Sequence, residues 1–212
     1  MIKIFSYDGP LMRLLEKAFD LMLLHILFVI CSIPIITIGA STTALISVSM
    51  KSIRGEEGYI FRTFFKEFKN NFKQSSCIWF IFALIISWCL AFIIFSFNVG
   101  SESAKILELI EAAVLFIIIG AFKYVFAVQA RFENDLFSTI KNSFFLSLRH
   151  FPTTFILIAM TVIPPVFTVY LAGISTVSAC LIFIWLFFGT SLIAHADAYF
   201  LVKVFSIYEQ EV

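Results

Sequence analysis

The chain has 212 residues, 61% of them hydrophobic and 14% charged, with a formal net charge of +1. A soluble domain carries about half apolar and about a quarter charged residues, so this composition excludes one, and a mean hydropathy of +1.01 agrees. Phenylalanine contributes 28 residues, which suits lipid-facing and interfacial surfaces.

A spanning helix needs about 20 mostly apolar residues. The first such segment runs from Leu11 to Cys31 and ends at Ser32-Ile33-Pro34, where proline removes a backbone donor and disfavours helix in the residue before it. Ile35 to Met50 follows, rich in Thr37, Gly39, Ala40, Ser41, Thr42, Thr43 and Ala44. Small residues let helices approach closely in lipid, so this segment is expected to pack centrally.

From Gly58 to Gln74 the pattern turns amphipathic. Phe61, Phe64, Phe65, Phe68 and Phe72 share one helical face, and Arg62, Lys66, Lys69 and Lys73 occupy the other. Two readings fit. The helix either lies in the membrane interface with its aromatic face sunk among headgroups, or it packs on the protein's own cytoplasmic face.

Further spans are expected from Ser76 to Phe97 and from Ile106 to Ala130, joined by a polar turn over Asn98 to Ser103. A second amphipathic stretch, Asn134 to His150, has Phe137, Ile140, Phe144, Phe145 and Leu148 as its apolar side. The last spans run from Pro152 to Leu171 and from Val177 to Val202, joined by the uncharged turn Ala172 to Thr176. The expected fold is therefore all-α: one membrane domain over residues 1–212, with six crossings and two cytoplasmic amphipathic helices.

Cations favour cytoplasmic loops, and this fixes the expected orientation. With both termini inside, six crossings place Lys3, Arg13, Lys17, Lys51, Arg54, Arg62, Lys66, Lys69, Lys73, Arg131, Lys141, Arg149 and Lys203 on the cytoplasmic side. Lys123 falls within a span, and Lys105 lies outside. Shifting the chain by 76 positions also lays Phe61 on Phe137, Thr63 on Thr139, Phe68 on Phe144 and Lys73 on Arg149. Those matches describe a parallel internal repeat, related by an axis along the membrane normal.

Ionisable groups inside spans are costly, which makes them candidate functional residues. Asp20, Lys123 and Asp197 fall at a comparable depth and form a candidate intramembrane polar cluster, in which Lys123 pairs with Asp197 or Asp20. The plainer alternative is a structural pair, or a lysine that snorkels to the headgroups. Pro34 and Gly39 mark a candidate helix break, read either as backbone exposed to a ligand or as a tight turn with close helix packing. Cys31, Cys77, Cys89 and Cys180 lack paired spacing and read as small buried hydrophobes. The histidines and carboxylates match no catalytic or metal motif, so neither enzyme activity nor a cofactor is expected, and no nucleic-acid partner.

The run Pro34-Ile-Ile-Thr-Ile-Gly-Ala-Ser-Thr-Thr-Ala-Leu45, followed by Phe64-Phe-Lys-Glu-Phe-Lys-Asn-Asn-Phe-Lys-Gln74, is similar to the YesL-like family of bacterial membrane proteins of unknown function. The resemblance implies a polytopic protein of the bacterial inner membrane. It further implies a setting beside carbohydrate ABC-transporter and polysaccharide-utilisation genes, with transporter or sensor subunits as partners besides the lipid bilayer. It carries over no catalytic residue.

The expected topology is checked by cysteine accessibility in a background without the native cysteines. Ser101→Cys and Ser175→Cys should label from outside the cell, and Asn70→Cys should not; outside labelling of Asn70→Cys overturns the orientation.

Overall fold

The computed structural model describes residues 10–56, 58–99, 102–172 and 177–209. Seven α-helices follow one another among them: α1 (Pro10–Ser32), α2 (Ile38–Ile53), α3 (Ile60–Val99), α4 (Glu102–Arg131), α5 (Leu136–Arg149), α6 (Phe151–Ala172) and α7 (Val177–Glu209). A short 3-10 turn, Ile35–Thr37, joins α1 to α2, and no strand occurs among the described residues. The expected polar turn over 98–103 includes residues 100 and 101, which lie outside the described residues, as do 173–176 of the turn over 172–176.

Among the described residues, five stretches are long and apolar enough to cross a membrane: Ile35–Ile53, Ile60–Phe97, Lys105–Arg131, Phe151–Tyr170 and Phe183–Tyr208. The expected first span is not among them. Arg13, Glu16, Lys17 and Asp20 occupy the first turns of α1, so its uncharged run begins only at Leu21. From there to Cys31 the helix rises roughly 16 Å, against about 30 Å of hydrocarbon.

The centre of the bundle is α2. Gly39, Ala40, Ser41, Thr43 and Ala44 are all buried, and the helix packs against α1, α3, α4 and α7. At Gly39 a Cβ would collide with the Ser75 carbonyl oxygen and come within 2.7 Å of Trp79 Cβ, so hydrogen at this position sets how closely α2 approaches α3. Thr43 Oγ1 bonds Ser75 Oγ at 2.8 Å beside that contact. Before it, the Thr37 hydroxyl donates to the carbonyls of Cys31 (2.5 Å) and Pro34 (2.6 Å), closing the turn at the proline.

One apolar cluster lies around α2, α3, α4, α6 and α7, with Phe82, Tyr124, Phe126, Leu157, Leu201 and Phe205 in it. A smaller one gathers Leu24, Leu27, Leu45, Val48, Phe64 and Ala194 between α1, α2, α3 and α7. Away from these clusters the helices carry exposed apolar side chains, among them Trp88 and Phe95 on α3, Leu109 on α4, Val166 on α6 and Leu186 on α7.

Two expectations change here. The amphipathic segment Gly58 to Gln74 and the span from Ser76 are one helix, α3, 40 residues and about 60 Å long. Charge patterning changes near Ser75, but no proline or glycine stands there to stop the helix. The second amphipathic segment does end, at His150, with Pro152 lacking the N–H that a continuing helix would use.

The second change concerns α5. Its buried residues are Thr139, Ser143, Leu146 and Ser147, while Phe137, Phe145 and Leu148 from the expected apolar side are exposed. The helix runs back along α4, where a Cβ at Gly120 would collide with Ser147 Oγ. Cys77 is exposed, and Cys31 and Cys89 are half-buried, so these three are not core cysteines.

Gly39→Ala should destabilise the protein by about 1–3 kcal/mol, the usual cost of inserting atoms into a packed contact. The measurement is thermal unfolding in detergent; an unchanged midpoint would mean that α2 and α3 do not meet there.

Candidate functional site

Two of the joints between helices are built mainly from polar side chains. In the first, α4 presents Lys123 and α7 presents Asp197, with Nζ to Oδ2 at 2.5 Å and side chains only 16% and 8% exposed. Asp197 Oδ1 is buried and accepts from no protein group. Such a pair locks its two helices, because removing either partner strands a buried charge. Beside it, Tyr124 is fully buried with its hydroxyl 3.5 Å from Thr154 Oγ1. Near the end of α7, Tyr208 OH lies 2.9 Å from His150 Nε2, and the Arg149 guanidinium sits 5.3 Å above the Tyr208 ring. Burial, with the neighbouring Arg149 charge, holds the His150 imidazole below its usual pKa.

Asp20 goes elsewhere. It is exposed on α1 and lines a cavity together with Lys17 and His195. The three residues of the expected cluster therefore divide into one ion pair, Lys123 with Asp197, and one carboxylate at a separate cavity.

The second joint is built from uncharged amides. Gln129 on α4 donates through Nε2 to Asn71 Oδ1 on α3 at 3.0 Å. Gln74, also on α3, donates through Nε2 to the Asn134 carbonyl at 3.0 Å and lies 3.4 Å from Thr139 Oγ1. Thr139 in turn approaches Gln129 Oε1 at 3.4 Å. Asn71 and Gln74 belong to the Phe64 to Gln74 motif, yet sequence reasoning passed over them and Gln129 because it searched for charges. Uncharged amides inside or beside apolar runs were the available signal, since they too must find partners in a low-dielectric interior.

The aromatic and basic faces of α3 split in the same way. Phe64 is fully buried and Phe68 packs against the smaller cluster, while Phe61, Phe65 and Phe72 remain exposed. Arg62, Lys66, Lys69 and Lys73 are all exposed. Glu67, between them, accepts from Lys51 of α2 at 2.7 Å. Part of the aromatic face thus packs on the protein itself, and part is open to its surroundings. At the candidate break, Pro34 sits in the turn and Gly39 in the α2–α3 contact, with exposed Ile33, Ile35 and Ile36 around the turn. On the α1 side, His25 Nδ1 lies 2.8 Å from Thr190 Oγ1 of α7.

Residues 21–95 match the family described as "Protein of unknown function, DUF624". The chain is also similar to a Bacillus subtilis (strain 168) protein described as "Uncharacterized protein YteU", with 26% identity over 200 residues that cover 90% of this chain and 84% of that protein. No solved structure matches the chain. The matched residues 21–95 contain the α1–α2 turn, all of α2 and most of α3.

A double-mutant cycle tests the first joint. Lys123→Met and Asp197→Leu should each destabilise by about 3–5 kcal/mol, and the double variant should recover most of that loss. Thermal stability in detergent is the readout. Additive losses would mean that the two side chains do not depend on each other.

Proposed function

We propose that this chain is a non-enzymatic integral membrane protein, accessory to carbohydrate uptake or its sensing. The arrangement proposed for it has six crossings, the first made by the 23 residues of α1 with its charged first turns among the cytoplasmic headgroups, both termini in the cytoplasm and two copies of a helical repeat in the bacterial cell membrane. The carbohydrate assignment rests on the YesL-like resemblance, whose two motifs, Pro34 to Leu45 and Phe64 to Gln74, both fall inside the matched residues 21–95. That is a warrant of association.

One observation supports an accessory role over catalysis or transport. Several polar groups bond one another across helices: Lys123 to Asp197, and Asn71 and Gln74 to α4 and the segment around α5. Groups arranged in that way fix helix packing, which is what an accessory subunit needs of them.

The proposed repeat is supported by where the helices begin and how they return. Ile60 of α3 and Leu136 of α5 stand 76 residues apart. Each helix then runs back along the one before it: α3 along α2 through Lys51–Glu67 and Thr43–Ser75, α5 along α4 through Gln129–Thr139 and Gly120–Ser147. At the same offset Ser76 corresponds to Pro152, which accounts for one continuous helix in the first copy and a break in the second.

A small transporter using Asp20, Lys123 and Asp197 is the second reading. The observation in its favour is Asp197 Oδ1, a buried acceptor with no partner in the protein. Purification in mild detergent followed by mass spectrometry separates the two. An accessory protein should bring down carbohydrate-transporter or sensor subunits, and the purified chain should move no sugar across liposomes. Sugar flux by the protein alone, with no subunit captured, would overturn the accessory reading.

A further inference from the structure

One stripe of α3 is exposed along most of the helix. Arg62, Lys66, Lys69 and Lys73 fall on it, and Phe80 and Leu84 continue it, all six within an arc of about 80° around the axis. The stripe is cationic in its first half and apolar in its second. No carboxylate neutralises it. Glu67, the one acid between Gly58 and Gln74, turns to α2, where Lys51 holds it at 2.7 Å. Lys51, Arg54 and Lys123 each hold a carboxylate, whereas none of the four cations on the stripe makes an ion pair among the described residues.

The spacing along the axis matches one leaflet. Because α3 continues without a break into its apolar part, it passes through the headgroup layer and does not lie in it. That layer is about 5–7 Å thick on each side, and the hydrocarbon of one leaflet is about 15 Å deep. Lys69 and Lys73 are about 6 Å apart in axial rise, the thickness of the headgroup layer. Phe80 and Leu84 lie about 10 and 16 Å beyond Lys73, the depth of the leaflet. Lys66 and Arg62 stand about 10 and 16 Å from Lys73 in the other direction, so they project past the headgroups toward water.

We propose that this stripe binds an anionic phospholipid, with the phosphate between the ammonium groups of Lys69 and Lys73 and an acyl chain along Phe80 and Leu84. The two lysines are one turn apart with Cβ atoms about 5–6 Å from each other, so both ammonium groups reach one phosphate. Exposed Asn70, beside them, adds amide N–H donors for the phosphate oxygens. A headgroup with net negative charge complements the pair. A choline headgroup brings a cation of its own against them. The inference rests only on the chain being an integral membrane protein and holds for the accessory and the transporter readings alike. The rival occupant is an acidic segment of another protein, which is not confined to a thin layer and would use Arg62 as readily as Lys73.

The test uses the full chain in neutral detergent with phosphatidylglycerol and phosphatidylcholine of identical acyl chains, compared by native mass spectrometry. Phosphatidylglycerol should be retained about tenfold better, and raising the ionic strength should narrow the difference. Lys69→Gln and Lys73→Gln should each remove about fivefold of its retention, and Arg62→Gln less than about twofold, because attraction to a surface charge falls off within a Debye length. All three positions are exposed, so melting without added lipid should stay unchanged and shows that the variants are folded. Equal retention of the two lipids would overturn the proposal and leave the membrane reading standing, whereas retention of neither would overturn both. A loss for Arg62→Gln as large as for Lys73→Gln would overturn the lipid as occupant in favour of the acidic segment. Glycerophosphoglycerol, the same headgroup without acyl chains, should show no binding by calorimetry; binding as tight as that of the lipid would overturn the role of Phe80 and Leu84.

Discussion

Close approach of α2 to its neighbours is the constraint on which the rest of this bundle depends. In hydrocarbon, lipid tails are as apolar as leucine, so helices gain little by burying leucine against leucine and must hold together by near contact and hydrogen bonds. Gly39 supplies the near contact, with its α-carbon against the Ser75 main chain, and Thr43 supplies the hydrogen bond. Once α2 is seated, its other faces are buried against α1, α4 and α7. Large side chains at these α2 positions would push all four neighbours outward together.

The same logic explains the orientation of α5. In water its aromatic side would turn inward; here Thr139, Ser143 and Ser147 face α4 and Phe137 and Phe145 face away. Small hydroxyl residues allow the helix to lie close to Gly120 and leave Phe137 and Phe145 for lipid, while Phe144 stacks on Phe82 in the core. Amphipathicity measured along a sequence gives the direction of the apolar face. Whether that face points to protein or to its surroundings depends on the solvent.

Much of the architecture could be read before any coordinates, because hydropathy over about 20 residues is a strong signal and helices dominate. The long helices, the packing role of the small residues from Gly39 to Ala44, and Lys123 beside Asp197 as one of two pairings were all available from residue type and depth. What was hidden has physical reasons. Continuity of α3 through Ser75 was hidden because a change from charged to apolar is a change of surroundings, and a helix ends only where the backbone requires it. The amide joint of Asn71, Gln74 and Gln129 was hidden because amides carry no charge to count. The division of Asp20 from Lys123 was hidden because depth along a helix says nothing about which way a residue faces around it.

The polar joints and the apolar exposed halves then divide the labour between protein and bilayer. Trp88, Phe95, Leu109, Val166 and Leu186 are exposed on four different helices, and in water they would form an apolar surface far larger than a monomer normally carries. Those helix portions have few partners in the protein, so the bilayer must supply their contacts. The portions that hold one another are the ones with hydrogen bonds and ion pairs: α2 with α3, α4 with α7, and α3 with α4 near Asn134. Hydrogen bonding also reaches the outward-facing portions, where Trp185 Nε1 of α7 donates to Thr168 Oγ1 of α6 at 2.7 Å close to Leu186 and Val166.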